Sequence, residues 1–196
     1  MTRPYHKYVF DTEKREFVGQ FEEMYRAEAA NGYDSWHQEN LTTLGKQLSL
    51  TILQRYNFAS ILDIGCGKGT FTHLLKKANN EVVGVDLSDT AVAKARAKYE
   101  GIEFLQMDTT ELKSLNRKFD VVVAMEIFSY LEHWRELLGT LATMTQHLYL
   151  SLYLPANPIG FVKSFDDLIA ELSKYFVVEV EVLVNRDQIL ILASKK

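Results

Sequence analysis

The sequence is poor in cysteine and proline, with one and three in 196 residues, and it has no apolar run long enough to cross a bilayer. A lone Cys66 cannot close an internal disulfide, so a disulfide-stapled fold is excluded. A secretory leader is also missing, which sets the expectation of a cytoplasmic chain with no membrane part. Basic charge is in short supply: 22 Lys and Arg stand against 26 Asp and Glu, for a net charge of −4. Proteins drawn to phosphate backbones need the opposite balance, and no nucleic-acid partner is expected. Neither repeats, nor low-complexity tracts, nor a Pro/Gly-rich linker divide the chain. The 47% of hydrophobic residues supply material for a sizeable core. One domain is expected over residues 1–196, with 1–58 as a helical lid or cap and 59–196 as an α/β core.

Apolar spacing then gives the elements. Phe17, Phe21 and Met24, and again Leu41, Leu44, Leu48 and Ile52, recur at helical intervals, with the aromatic loop "NGYDSWHQEN" between the two sets. From Ala59 onward the pattern alternates. Residues 59–64, 82–86, 102–106, 119–125 and 148–154 read as buried strands. Helical stripes fall on Phe71, Leu74, Leu75 and Ala78, on Val92 and Ala95 after the N-cap Ser88, and on Trp134, Leu137, Leu138 and Leu141. A last helix carries Phe165, Leu168, Ile169 and Leu172. Strands alternating with helices imply a parallel sheet covered on both faces. The runs "FVVEVEVLV" and "QILILASKK" are separated by only three residues, too few for a parallel crossover, and are expected to form an antiparallel hairpin.

The stretch "ILDIGCGKG", residues 61–69, places Gly65, Gly67 and Gly69 straight after a strand. In an open α/β sheet, ligands bind beyond the carboxyl ends of the strands, where the N–H groups of such a turn face them. Glycine permits positive φ and lets a ligand lie against the main chain. Asp86 ends the next strand, where a carboxylate can accept from both hydroxyls of a ribose, and Asp108 follows the third, in reach of an adenine edge. Either aspartate can equally be a turn former that caps a helix. The G-x-G-x-G spacing and Asp108 argue against the alternative enzyme, a nicotinamide-dependent oxidoreductase, which uses G-x-G-x-x-G.

The segments "LDIGCGKG", "VVGVDLS" and "FLQMD", in this order, resemble the cofactor motifs of the class I S-adenosylmethionine-dependent methyltransferases, a likeness covering residues 59 to 194. The resemblance implies a Rossmann-like, doubly wound, seven-stranded sheet, mostly parallel, ending in an antiparallel C-terminal hairpin and preceded by N-terminal helices. It implies S-adenosyl-L-methionine as cofactor and S-adenosyl-L-homocysteine as product. Gly65, Gly67 and Gly69 would lie along the methionine part, with Cys66 as a small residue that fits between them and Asp63 orienting the turn and the amino group. Asp86 would hold the ribose, Leu87 and Met107 would sandwich the adenine, Asp108 would accept from its amino group, and Met125 completes the set. Many members have a Pro-Gly-Gly type turn before the fifth strand where this chain reads "LATMTQHLYLSLYLP". That turn does not touch the cofactor.

Methyl transfer from a sulfonium asks mainly for alignment and exclusion of water. The acceptor side is expected from "AMEIFSYLEHW", the N-terminal loop and "YLPANPIGF". The segment "VVVAMEIFSYLEHW" resembles the nodulation-type N-methyltransferases, which methylate an amino sugar of a chitooligosaccharide. His133, Glu126 and Tyr130 are the candidate catalytic residues. His133 is either a general base or an exposed first-turn residue, and Glu126 either an amine ligand or a strand-end carboxylate facing solvent. Tyr33, Trp36 and His37 are candidate substrate-binding residues, an aromatic lid favourable to a cation. Trp36 can equally pin the N-terminal helices to the sheet. Phe128 and Tyr153 are candidates for the acceptor pocket, although a strand-end tyrosine is often half-buried core. No cluster of Cys, His, Asp and Glu has metal-ligand spacing, and no metal is expected. The expected activity is methyl transfer to N or O of a small polar acceptor, a sugar or an amine, by a monomer or homodimer. A cofactor-binding partner protein without transfer activity is the other class left open.

Overall fold

Strands that are apolar on both sides need cover on both faces, and the alternation of buried residues shows where it comes from. The computed structural model describes residues 4–196. Seven strands form one sheet: β3 (Ser60–Ile64), β4 (Glu81–Asp86), β5 (Glu103–Gln106), β6 (Phe119–Met125), β7 (Thr145–Tyr153), β8 (Phe176–Val184) and β9 (Gln188–Lys195). The two short strands before them, β1 (Phe10–Asp11) and β2 (Glu16–Phe17), make a separate antiparallel pair. The sheet order is β5-β4-β3-β6-β7-β9-β8, with β9 antiparallel to both of its neighbours and every other pairing parallel. Asn185 and Arg186, at φ 50° and 67°, turn the β8–β9 hairpin, a pair of left-handed residues whose twist matches the strands they join.

Along β6, Val122 and Ala124 face one core and Val121 and Val123 the other. The first core is closed by α6 (Trp134–Met144) and α7 (Phe165–Leu172), the second by α3 (Leu44–Gln54) and α4 (Thr70–Leu75). Helix α5 (Asp89–Lys98) packs on β4 and β5 through Val92 and Ala95. Ser88 caps it, accepting from the Ala91 N–H at 3.1 Å. No helix among the described residues is long and apolar enough to cross a membrane.

The differences from expectation are local and have physical causes. Helix α4 stops at Leu75, before Ala78, because the Asn80 side chain donates to the Leu75 carbonyl at 2.9 Å and accepts the Lys77 N–H at 2.7 Å. Phe17 lies in β2, and α2 (Phe21–Asn31) starts only after Gly19, whose φ is 70°. Leu41 precedes α3. A one-turn helix, α1 (His6–Val9), stands before the β1–β2 hairpin and was not indicated by periodicity. Where a Pro-Gly-Gly turn is absent, α6 ends at Met144 and β7 begins at Thr145 with no loop between. The Thr145 hydroxyl holds that corner by donating to a carbonyl, with Phe119 O at 3.1 Å and His147 O at 2.8 Å.

Candidate functional site

Parallel register brings Ile64, Asp86, Gln106 and Met125 to one edge of the sheet. The turn from β3 into α4 rises there. Gly65, Gly67 and Gly69 have φ of 71°, 54° and 76°, a conformation that side chains other than glycine rarely adopt. The N–H groups of Gly65 and Cys66 both donate to Val85 O, at 2.8 and 3.0 Å. The Gly67 N–H donates to Asp86 Oδ2 at 2.8 Å, and the Ser88 N–H to Asp86 Oδ1 at 2.9 Å. Asp86 therefore ties the glycine turn to the tip of β4. Burial raises its pKa, and the charge of Glu22 adds to that, despite the two amide donors. Asp63 lies beneath the turn, 2% exposed, and accepts from Thr72 Oγ1 at 2.6 Å. Burial, with the charge of Asp86, pushes it up to about 7 even though the Thr72 bond opposes the shift.

A Cβ on each turn glycine would collide with another part of the protein: Ile127 at Gly65, the Gln38 carboxamide at Gly67, and Phe104 at Gly69. The glycines are thus required by packing and backbone conformation before any ligand is considered. Further out, Leu87 is 48% exposed at the β4 tip, while Met107 is half-buried and donates its N–H to Asp86 O at 2.9 Å. Asp108 caps the 3₁₀ turn Thr109–Leu115, accepting from Thr110 N and Oγ1, both at 2.8 Å. Cys66 is buried against Val92, Ala95 and Phe104, and burial raises its thiol well above the usual range. Met125 packs on the α3-side core. Leu87, Met107 and Asp86 set an exposed apolar side chain, a half-buried one and a carboxylate at the tips of the neighbouring strands β4 and β5, which fits a flat base joined to a ribose.

On the acceptor side the candidates separate. Glu126, at φ 62°, folds back on the sheet and accepts from the Ser151 hydroxyl, the Tyr153 N–H and Gln188 Nε2, the last at 2.6 Å. His133 sits before α6, its Nε2 3.0 Å from Thr109 Oγ1. Tyr130 packs among Phe10, Phe21 and Trp36, with ring centroids 5.8, 5.5 and 5.3 Å away. Its phenol is pushed far up by burial, then by the charge of Glu126 and by Tyr5. Trp36 and His37 have φ of 59° and 49°, strained for non-glycine residues. Trp36 also touches Tyr5, at 4.9 Å between centroids, while Tyr33 is 6.4 Å from Tyr5 and His37 is exposed. Tyr153 is 51% exposed. Phe128 is fully buried in the α6-side core, so in this structure its ring presents no surface to an acceptor, a correction to its assignment.

Sequence reading passed over the groups that fasten the N-terminal segment to the turn. Lys68 Nζ pairs with Glu28 Oε1 and Asp34 Oδ1, both at 2.8 Å, and the Lys68 N–H donates to Gln38 Oε1 at 2.9 Å. Glu22 accepts from Ser88 Oγ at 2.5 Å, Thr90 Oγ1 at 2.6 Å and Thr90 N at 3.1 Å. One signal was available: Glu28 shares a helix face with Met24 and Tyr25, and a carboxylate on an apolar stripe needs a partner.

Residues 61–148 match the family model described as a methyltransferase domain. Over that stretch the chain is similar to the methyltransferase domain family. S-adenosylmethionine is the cofactor of that family. Among curated relatives, the domain is 30% identical over 110 residues to the dTDP-3-amino-3,4,6-trideoxy-alpha-D-glucopyranose N,N-dimethyltransferase of Streptomyces venezuelae, covering 56% of this chain and 46% of that one. It is 26% identical over 146 residues to the malonyl-[acyl-carrier protein] O-methyltransferase of Pectobacterium atrosepticum, covering 74% and 54%. The chain spans about half the length of these relatives. Among solved structures, the N-methyltransferase NodS of Bradyrhizobium japonicum, in complex with S-adenosyl-L-homocysteine, superposes with a TM-score of 0.73 at 21% identity. That match covers 89% of this chain and 97% of NodS, and shows a shared fold.

Proposed function

We propose that this protein transfers a methyl group from S-adenosylmethionine to the nitrogen of a small polar amine, with an amino sugar as the leading acceptor class. The observation that carries the cofactor half is the Asp86 carboxylate, held between the N–H groups of Gly67 and Ser88 beside the glycine turn. In this reading Asp86 holds the ribose, Leu87 and Met107 flank the adenine, Asp108 meets its edge, and Asp63 fixes the turn from below. Cys66 and Met125 close the site as apolar filler. When bound, the cofactor supplies an activated methyl on a positively charged sulfur.

The residues on the acceptor side favour nitrogen over oxygen. An alcohol needs a base, whereas a neutral amine attacks with its lone pair. Tyr130 is held in its neutral form, Glu126 is committed to three donors, and His133 is engaged by Thr109. Relatives that act on an amino sugar and on an acyl-carrier O-acceptor bracket the choice. Residues 1–58 then act as a cap on the core 59–196, presenting Tyr33, Trp36 and His37 toward the acceptor, with Tyr153 at the opposite rim. A reducing, cytoplasmic setting suits the lone, buried Cys66.

Calorimetric titration with S-adenosylhomocysteine, run in parallel with NADH, tests the cofactor. Binding of the first alone is expected, and Asp86→Ala weakens it by about 1.5–3 kcal/mol. Binding of NADH alone sinks the proposal. Turnover on matched panels of amines and alcohols then decides between nitrogen and oxygen, and no turnover on any panel leaves the non-catalytic binding protein.

A further inference from the structure

Lys68 is 7% exposed, which is deep for a lysine unless it is paired. Everything it holds lies in the cap. Its N–H takes Gln38, and its ammonium takes Glu28 and Asp34. These partners in turn fasten the loop between them. Asp34 accepts the N–H groups of Gln38 and Glu39, both at 3.1 Å, and Glu28 Oε2 accepts the Ser35 N–H at 3.0 Å. Lys46 closes the far side by donating to the carbonyls of His37 and Asn40, at 2.6 and 2.9 Å. Trp36 and His37 are thereby held in left-handed conformations that cost free energy and persist only where the surroundings impose them. On its other side, Lys68 follows Gly67, whose N–H is bound by Asp86.

We propose that Lys68 is a positioning residue that transmits the state of the glycine turn to residues 33–40, so that cofactor binding and placement of Trp36 over the site are one linked event. The link to the cofactor rests on the reading given under Proposed function. The geometry of the clamp does not. Linkage is reciprocal: a cofactor that stabilises the turn must order the cap, and a disordered cap must weaken the cofactor.

Hydrogen exchange on the full chain, with and without S-adenosylhomocysteine, tests this. The variant is Lys68→Met combined with Glu28→Gln, which removes the ion-paired part of the clamp without stranding a buried carboxylate and leaves only the Lys68 N–H bond to Gln38. In wild type, the ligand should slow exchange in 33–40 as well as in 65–69. In the double variant, exchange in 33–40 without ligand should rise about tenfold or more while β3, β6 and β7 keep wild-type protection. Its ligand should slow only 65–69 and bind about tenfold more weakly. Wild-type exchange of 33–40 in the unliganded variant, or equal ligand protection of 33–40 in both proteins, overturns the proposal. Asp34→Asn, at a half-buried position, is the milder variant should the double one not fold, and should loosen the same segment to a smaller degree. If wild type fails to bind S-adenosylhomocysteine, the methyltransferase reading falls, and the unliganded comparison still decides the role of Lys68.

Discussion

The sheet and the cap are joined by different kinds of contact. In the sheet, Leu62, Val122 and Leu150 meet Trp134, Leu138 and Leu168 as side chains with no exposed area, and strand pairing runs through the whole set. The cap has a smaller apolar cluster of Tyr5, Val9, Met24 and Tyr25. Its fastening to the core adds carboxylates: Glu22 on the α5 N-terminus, and Glu28 and Asp34 on Lys68. Apolar packing is insensitive to pH and tolerates no opening. Hydrogen-bonded charges can be released one at a time. The core is therefore a packed platform, while the N-terminal segment is held to it in part by bonds that a single change of charge removes.

The largest expected effect breaks the platform. Trp134→Ala empties the most buried large side chain of the α6-side core, and should cost about 3–5 kcal/mol in urea unfolding. A cost near 1 kcal/mol would mean that the sheet is not what holds the molecule together.

Two carboxylates sharpen the contrast because they titrate with opposite sign. Asp63, in the core, has its folded pKa raised to about 7 by burial. The folded state favours its protonated form, so its contribution is fully present below the unfolded pKa of roughly 4 and is lost as pH rises through 7, on the order of 4 kcal/mol. Glu22, on the cap, is lowered to about 2: burial opposes the shift, and the bonds from Ser88 and Thr90 outweigh it. Its contribution, on the order of 3 kcal/mol, is present above the unfolded pKa and lost as pH falls from about 4.5 to 2. Urea unfolding across pH should show wild type losing ground to Asp63→Asn between pH 4 and 8. Against Glu22→Gln, wild type should lose its advantage only on acidification below 4.5. The same sign for both pairs would overturn the division.

The same division explains what could be read in advance. Five strands of the main sheet were read from apolar runs, and the β8–β9 hairpin with its reversed β9 follows from three residues that cannot hold a crossover. Those rules are local. The glycine turn with Asp86 was legible for the same reason, since the two lie at successive strand tips. Lys68 with Glu28 and Gln38, or Glu22 with Ser88, join residues 30 to 66 apart along the chain, and no period marks them. Phe128 misled because aromatic residues after a strand serve a pocket and a core equally well. The bonds of Glu126 were not legible because its positive φ, which turns the carboxylate back onto Ser151 and Gln188, is a tertiary fact.

The smallest effect concerns the seam between the two regions. Tyr130 contributes a ring to the cap's aromatic cluster, lying 6.3 Å from Phe17 and 5.3 Å from Trp36, while its phenol is kept neutral by burial and by the nearby charge of Glu126. A neutral phenol cannot take a proton from the acceptor, so the ring matters more than the hydroxyl. Tyr130→Phe should change stability by no more than about 0.5 kcal/mol, and turnover on an amine should fall less than about tenfold. Tyr130→Ala should loosen the cap and raise KM more than it lowers kcat, because what it removes is placement. A fall of roughly 10²–10⁴ in kcat for Tyr130→Phe, the scale of a lost acid–base group, would mean that the hydroxyl moves a proton and that an alcohol is the acceptor.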